Sequence, residues 1–199
     1  MAVRIIALCG PKGSGKDTVA NYILTHYHAQ RLAFADKMRE VASLIYGIPI
    51  EFFSDPELKN IPHPGLPDGK TPRNFLEFIG ETPKEFDPAI WVKPIIREIL
   101  SAAAVRPQDR IDIQIVTDMR FPIEVQALEA VGAEFYYVYS LTAELQLQAN
   151  AKAGKAHISE LHCMDFKKKF PHFKNTAVSS SPAYEAEILR TFFHKGVTK

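Results

Sequence analysis

Cysteine is scarce here: Cys9 and Cys163 are the only two in 199 residues, too few for a disulfide framework, which favours a reducing compartment. Net charge is nearly absent, +1 from 24 basic and 23 acidic residues, so there is no basic field to draw nucleic acid or an anionic membrane surface. No apolar run is long enough to span a bilayer, and the first strand-like run starts after three residues, leaving no room for a secretory signal. A cytoplasmic protein is expected, with no nucleic-acid and no membrane partner. The chain has no internal repeat and no low-complexity segment, and its length suits a single domain with insertions. Glycine is sparse too, ten in all, yet three of the ten stand at positions 10, 13 and 15.

Those glycines sit in Ile5-Ile6-Ala7-Leu8-Cys9-Gly10-Pro11-Lys12-Gly13-Ser14-Gly15-Lys16-Asp17-Thr18. A continuous apolar run leads into a glycine-rich turn, and Val19, Ala20, Ile23, Leu24 and Tyr27 then recur at helical spacing. Strand, phosphate-binding loop and helix are the reading. Backbone N–H groups that approach a polyphosphate tolerate no Cβ in the way. The helix beginning near Lys16 aims its free N–H groups at the anion, and Lys16 is placed to reach the β- and γ-phosphates. Gly10, Lys12, Gly13, Ser14, Gly15, Lys16, Asp17 and Thr18 are therefore the candidate ATP-binding residues. Asp17 stands where a Ser or Thr hydroxyl normally ligates Mg²⁺; its carboxylate must face away from the phosphates or meet the metal through water. Thr18 follows with the hydroxyl.

The rest alternates. Arg31–Phe34 reads as a second strand, and Asp36 as the cap of a helix to about Tyr46 that carries Arg39. Five prolines between Pro49 and Pro67 mark an excursion with no core element, although Phe52 and Phe53 argue that its first part packs. Thr71-Pro72 opens a helix that stops at Gly80. Asp87-Pro88 opens a longer one through Trp91 and Leu100, with a kink at Pro94. A third strand, Ile111–Asp118, precedes a helix closed by Gly132. A fourth spans Glu134–Tyr139. Thr142 to about Phe170 reads as a helix and then a mobile loop, Thr176–Val178 as the last strand, and Pro182 opens the last helix. Such alternation implies a three-layer α/β fold, a five-stranded parallel sheet with helices on both faces. Ligands then bind beyond the strand ends, where Gly10, Asp36, Asp118 and Ser140 fall.

Asp118 is placed like the acid that holds a magnesium shell, or is simply the cap of the next helix. Arg120 can turn along the same rim and fork onto a phosphate. Arg39 and Arg73 are candidates for an acceptor's phosphate, with a solvated surface as the plainer reading. Lys152, Lys155, His157, Ser159 and Glu160 could close over the phosphates and exclude water, or form an exposed charged helix. His157, His162 and Cys163 fit no standard zinc spacing.

Together these pieces resemble the bacteriophage deoxynucleoside monophosphate kinases, of the P-loop NTPase fold. The resemblance rests on Gly10–Thr18, Phe34-Ala35-Asp36, the block Thr71-Pro72-Arg73-Asn74-Phe75-Leu76-Glu77-Phe78-Ile79-Gly80 followed by Trp91-Val92, and Thr117-Asp118-Met119-Arg120-Phe121-Pro122 with Glu124. His157–Glu160 and Asn175 extend it. It implies transfer of the γ-phosphate of ATP to a deoxynucleoside monophosphate with Mg²⁺, in a host cytoplasm if phage-encoded, and small-molecule substrates as the partners. It further implies catalysis by Lys16, Asp118, Arg120 and Arg73, metal binding by Asp118, Thr18 and Asp17, and acceptor binding by Phe34, Asp36, Arg39, Arg73, Phe75, Glu77 and Trp91. The expected layout is a core of residues 1–47, 105–141 and 171–199, a monophosphate-binding insertion at 48–104, and a lid at 142–170 with lysines where such kinases usually place arginines. A homodimer is the default oligomer. A P-loop kinase of another small acceptor, similar to animal-type phosphomevalonate kinases, and a non-catalytic ATP-binding switch are the alternatives.

Overall fold

The computed structural model describes residues 3–103, 111–175 and 181–193. The chain forms two compact units, Met1–Arg31 with Val105–Lys199, and Leu32–Ala104.

The first unit is built on a five-stranded parallel sheet in the order β2-β3-β1-β4-β5: β1 Arg4–Cys9, β2 Ala29–Leu32, β3 Ile113–Val116, β4 Glu134–Tyr139 and β5 His172–Lys174. Ile6 of β1 lies level with Ile115 of β3 and Glu134 of β4, and Val138 of β4 with Phe173 of β5. β3 is buried throughout, as a central parallel strand must be. Its helices are α1 Lys16–His26, α6 Pro122–Ala130, α7 Leu141–Lys152, α8 Ile158–Lys169 and α9 Pro182–Ile188, which runs on as a π turn, Leu189–Phe193. Alternate strand residues Ile6, Leu8, Ile113, Ile115, Tyr136, Val138 and Phe173 share one face and pack with α1 and α9 through Val19, Ala20, Ile23, Tyr184 and Ile188. On the opposite face Tyr137 donates a 2.5 Å hydrogen bond to Glu144 of α7, whose other oxygen takes Lys167 of α8 at 2.5 Å. That triad, with Tyr137 and Glu144 buried and Lys167 half-buried, ties both helices to β4.

The second unit holds α2 Phe34–Tyr46, α3 Glu51–Ser54, a 3₁₀ turn at Leu58–Asn60, α4 Pro72–Phe86 and α5 Val92–Ala103. Its core is Ala42, Ile48, Phe53, Leu66 and Ile79, flanked by Met38, Tyr46, Phe52, Phe75, Leu76 and Trp91.

Several boundaries differ from expectation, each for a local reason. β2 ends before Phe34, which starts α2; the cap is Ala33, and Asp36 spends its carboxylate on Arg39 instead. The proline-rich excursion does supply core, since Phe53, within α3, is fully buried. The Thr71 cap with Pro72 at the first helical position forms as read, Asn74 completes a capping box with Thr71, and α4 continues through Gly80 to Phe86. Gly80 has no left-handed backbone, and a Cβ on it would make only ordinary contact with Met38 Sδ at 3.5 Å, so it sits within α4 rather than stopping it. Asp87 binds the Ala89 N–H in a turn, and α5 begins only at Val92. Pro94 is then its third residue, inside the first turn, where a missing N–H costs nothing. β3 ends at Val116, two residues before Asp118. The stretch expected as a loop is α8, held by buried Ser159, Cys163 and Phe166 on one face. Thr176–Val178 lies outside the described residues; β5 precedes it. The second unit begins at Leu32 and so takes in α2.

Candidate active site

β1 delivers the chain to Gly10, whose φ of 141° and position only glycine fits: a Cβ there would lie 2.0 Å from the Val138 carbonyl oxygen. Gly15, at φ 91°, ends the loop as the cap of α1, and a Cβ on it would lie 1.7 Å from Asn175 Nδ2. That amide donates to the Ser14 carbonyl at 3.0 Å, while the Asn175 N–H donates to Tyr139 at 2.7 Å. Asn175 thus ties the chain after β5 to the loop. Ser14 is fully buried, and Lys12 and Gly13 are exposed. The loop is therefore rigid beneath and open above, with the N-terminus of α1 behind it.

Lys16, the first residue of α1, turns back so that Nζ donates to the carbonyls of Gly10 at 2.9 Å and Pro11 at 2.8 Å. Its pKa is pushed down, first by burial and then by the charge of Arg120. Both effects disfavour the charged ammonium, and a polyanion at the loop would offset them. Asp17 is exposed, 3.8 Å from Arg31 Nε. Thr18 is half-buried one position on.

Asp118 and Arg120 lie beyond the end of β3, separated by the fully buried Met119. Below them Glu124 Oε2 accepts the N–H groups of Arg120 at 2.6 Å and Phe121 at 2.9 Å. Burial pushes the Glu124 carboxyl up to about 7; the two N–H groups pull it down and Asp118 pushes it further up. Cys163 of α8 donates to the Gly10 carbonyl at 3.7 Å and to Ser159 at 3.3 Å. Burial raises both the Cys163 and Cys9 thiols, so they are protonated packing groups. Among the described residues no group of three or more His, Cys, Asp or Glu is arranged to hold a metal. Lys152 closes α7, and Lys155 stands in the connector to α8; both are exposed. His157 accepts the Ser159 N–H at 3.2 Å and caps α8.

The remaining candidates lie in the second unit. Phe34 is buried at 3 % exposure. Arg39 Nη1 donates to Asp36 at 2.5 Å, while its Nε is buried without a hydrogen-bond partner. Arg73 Nε donates to Asn60 at 2.5 Å. Phe75 meets Tyr46 edge to face, centroids 4.7 Å apart, and Glu77 is exposed. The Trp91 indole donates to the Ile79 carbonyl at 3.0 Å. Sequence reasoning quoted Glu124 and Asn175 only as parts of the resemblance and weighed Cys163 only as a metal ligand, so these contacts were not foreseen. Glu124 had a signal, an acid at the third helical position after Phe121-Pro122; the other two are long-range contacts that no local pattern announces.

No protein-family model and no curated protein matches this chain. Among solved structures it is similar to TT1252 from Thermus thermophilus, at 17 % identity and TM-score 0.49 over 96 % of this chain and 94 % of that one. It is also similar to the dephospho-CoA kinase of Campylobacter jejuni, at 19 %, 0.47 and 94 % of both chains. A sugar kinase from a Janibacter species follows at 14 % and 0.43, over 94 % of this chain and 91 % of that one. Among the described residues no helix is long and apolar enough to cross a membrane.

Proposed function

We propose that the protein is an ATP-dependent phosphotransferase acting on a small acceptor. The observation that carries this is the glycine loop itself: Gly10 and Gly15 hold positive φ where no Cβ fits, and the loop runs straight into the N-terminus of α1 with Lys16 as its first residue. The loop N–H groups and Lys16 hold the β- and γ-phosphates, and Arg120 offsets charge on the equatorial oxygens during transfer. Thr18 and Asp118 are the oxygen donors for Mg²⁺, which when bound neutralises phosphate charge. An acceptor oxygen bonds to the γ-phosphorus as the bond to the β–γ bridging oxygen breaks, and ADP leaves.

Within that class we read the protein as a deoxynucleoside monophosphate kinase. The second unit carries the acceptor groups: Arg39, paired with Asp36 through Nη1 and left with a buried Nε–H that lacks an acceptor, with Arg73 and Glu77 as further polar contacts. Phe34, Phe75 and Trp91 form an apolar wall that leaves a ribose 2′-hydroxyl unsatisfied. Lys152 and Lys155 close over the nucleotide as point charges.

The test is ADP release from MgATP with dTMP, dGMP, dCMP and dAMP supplied singly, beside mevalonate phosphate and a control without acceptor. Stimulation by a deoxynucleotide, abolished in Lys16→Ala, supports the reading. Stimulation by mevalonate phosphate alone replaces the acceptor, and ATP binding without acceptor-dependent release leaves a switch module.

A further inference from the structure

The rim that carries Asp118 and Arg120 has no secondary structure of its own: residues 117–120 belong to neither β3 nor α6. Two things pin it. Met119 is fully buried on one side, and Glu124, 8 % exposed, lies under the other. An acid at the third position of a helix ordinarily serves as a cap by accepting the N–H of the residue before the helix, here Phe121. Glu124 does this at 2.9 Å, but its shorter bond, 2.6 Å, goes one residue further back, to the Arg120 N–H. A helix cap does not require that second bond.

We infer that Glu124 is a positioning residue: by accepting the N–H groups on either side of the Arg120 α-carbon, it fixes the direction in which the Arg120 side chain leaves the backbone. The two N–H groups flank a single set of φ and ψ, so one carboxylate oxygen holding both locks those dihedrals. Arg120 then leaves the rim in one direction, beyond the same end of the parallel sheet at which β1 delivers the phosphate loop. A free rim would let the guanidinium swing away from the phosphates that the loop is proposed to hold. What Glu124 supplies is an acceptor oxygen at a fixed place, and its charge is incidental.

This inference rests on the proposed ATP site, and its test reads binding as well as turnover. Affinity for MgATP carrying a fluorescent N-methylanthraniloyl group is measured for wild type, E124M, E124Q, R120A and R120A with E124M. Met fills a similar volume without an acceptor, whereas Gln keeps the oxygen and drops the charge. E124M is expected to weaken binding about tenfold, E124Q to stay within about threefold of wild type, and E124M to add less than about twofold in the R120A background, since residues acting through one another are non-additive. Turnover with the best acceptor follows the same pattern. Equal losses in E124M and E124Q, additive losses with R120A, or wild-type binding by E124M would each overturn the inference. Should E124M not fold, E124D withdraws the oxygen by one methylene and is read the same way. Wild-type binding without acceptor-dependent ADP release would reject the kinase reading alone, and the affinities would still decide the role of Glu124.

Discussion

Replacing Gly10 with alanine puts the loop geometry under the sharpest test. The new Cβ would stand 2.0 Å from the Val138 carbonyl oxygen and 3.1 Å from Ser14 Oγ. Ser14 can shift, but Val138 cannot: it lies inside β4, which is paired with β1 on one side and β5 on the other. A φ of 141° adds strain that glycine alone escapes, about 1–3 kcal/mol. Relieving the overlap by backbone displacement costs about 1–3 kcal/mol more. The middle of the summed range, about 4 kcal/mol, lowers the melting temperature by about 8–16 °C in a chain of this length. Gly13→Ala is the matched control. Its φ is 75°, and a Cβ there meets nothing within 4 Å, so only the left-handed backbone term of about 1–2 kcal/mol remains. Thermal unfolding followed by far-ultraviolet circular dichroism reads both. A Gly10→Ala protein melting with the wild type, or a Gly13→Ala protein losing as much, would refute the steric argument.

Phe53→Ala should destabilise by about 3–5 kcal/mol, because Phe53 is fully buried in the second core; denaturant unfolding checks it, and a near-neutral result would mean that the proline-rich segment is not core. Glu124→Gln should gain stability over wild type as pH rises. The native carboxyl, pushed up from 4.5 to about 7, holds its proton more tightly than the unfolded one, so wild-type stability falls as pH rises through that window. The advantage of Gln grows by about 2 kcal/mol between about pH 5 and pH 8, measured by urea midpoints at each pH; an advantage independent of pH would contradict it. Trp91→Ala loses both packing and the indole bond to Ile79, a destabilisation of about 3 kcal/mol, and should lower the ratio of deoxy- to ribonucleotide turnover; kcat/KM for dGMP against GMP measures that ratio, and no change would remove Trp91 from the wall.

The architecture was legible where local chemistry and global fold agree. The apolar run Ile5–Cys9 and the largely apolar Ile113–Val116 form the buried parallel strands expected of them, and the glycines of the loop carry the expected positive φ values. Thr71-Pro72 announced its helix by cap chemistry. Legibility failed where one residue type serves two purposes. Gly80 was read as a helix stop, but it keeps ordinary helical backbone and α4 runs on through it to Phe86. α8 was hidden because only three of its residues are buried, which leaves a weak periodic signal. Of the candidate site, the loop and Arg120 were visible as motifs. The supports beneath them were not, because Asn175 reaches Ser14, and Cys163 reaches Gly10, across most of the sequence. Such contacts are products of the sheet order, and no window of residues contains them.

The central claim is that this fold moves a phosphoryl group from ATP to a deoxynucleoside monophosphate. Incubation with ATP labelled in its γ-phosphate and each deoxynucleotide, with products separated by chromatography, tests it directly. The account predicts label in a deoxynucleoside diphosphate with wild type and none with Lys16→Ala. Label remaining in ATP with every acceptor, from protein shown to bind the nucleotide, would contradict it.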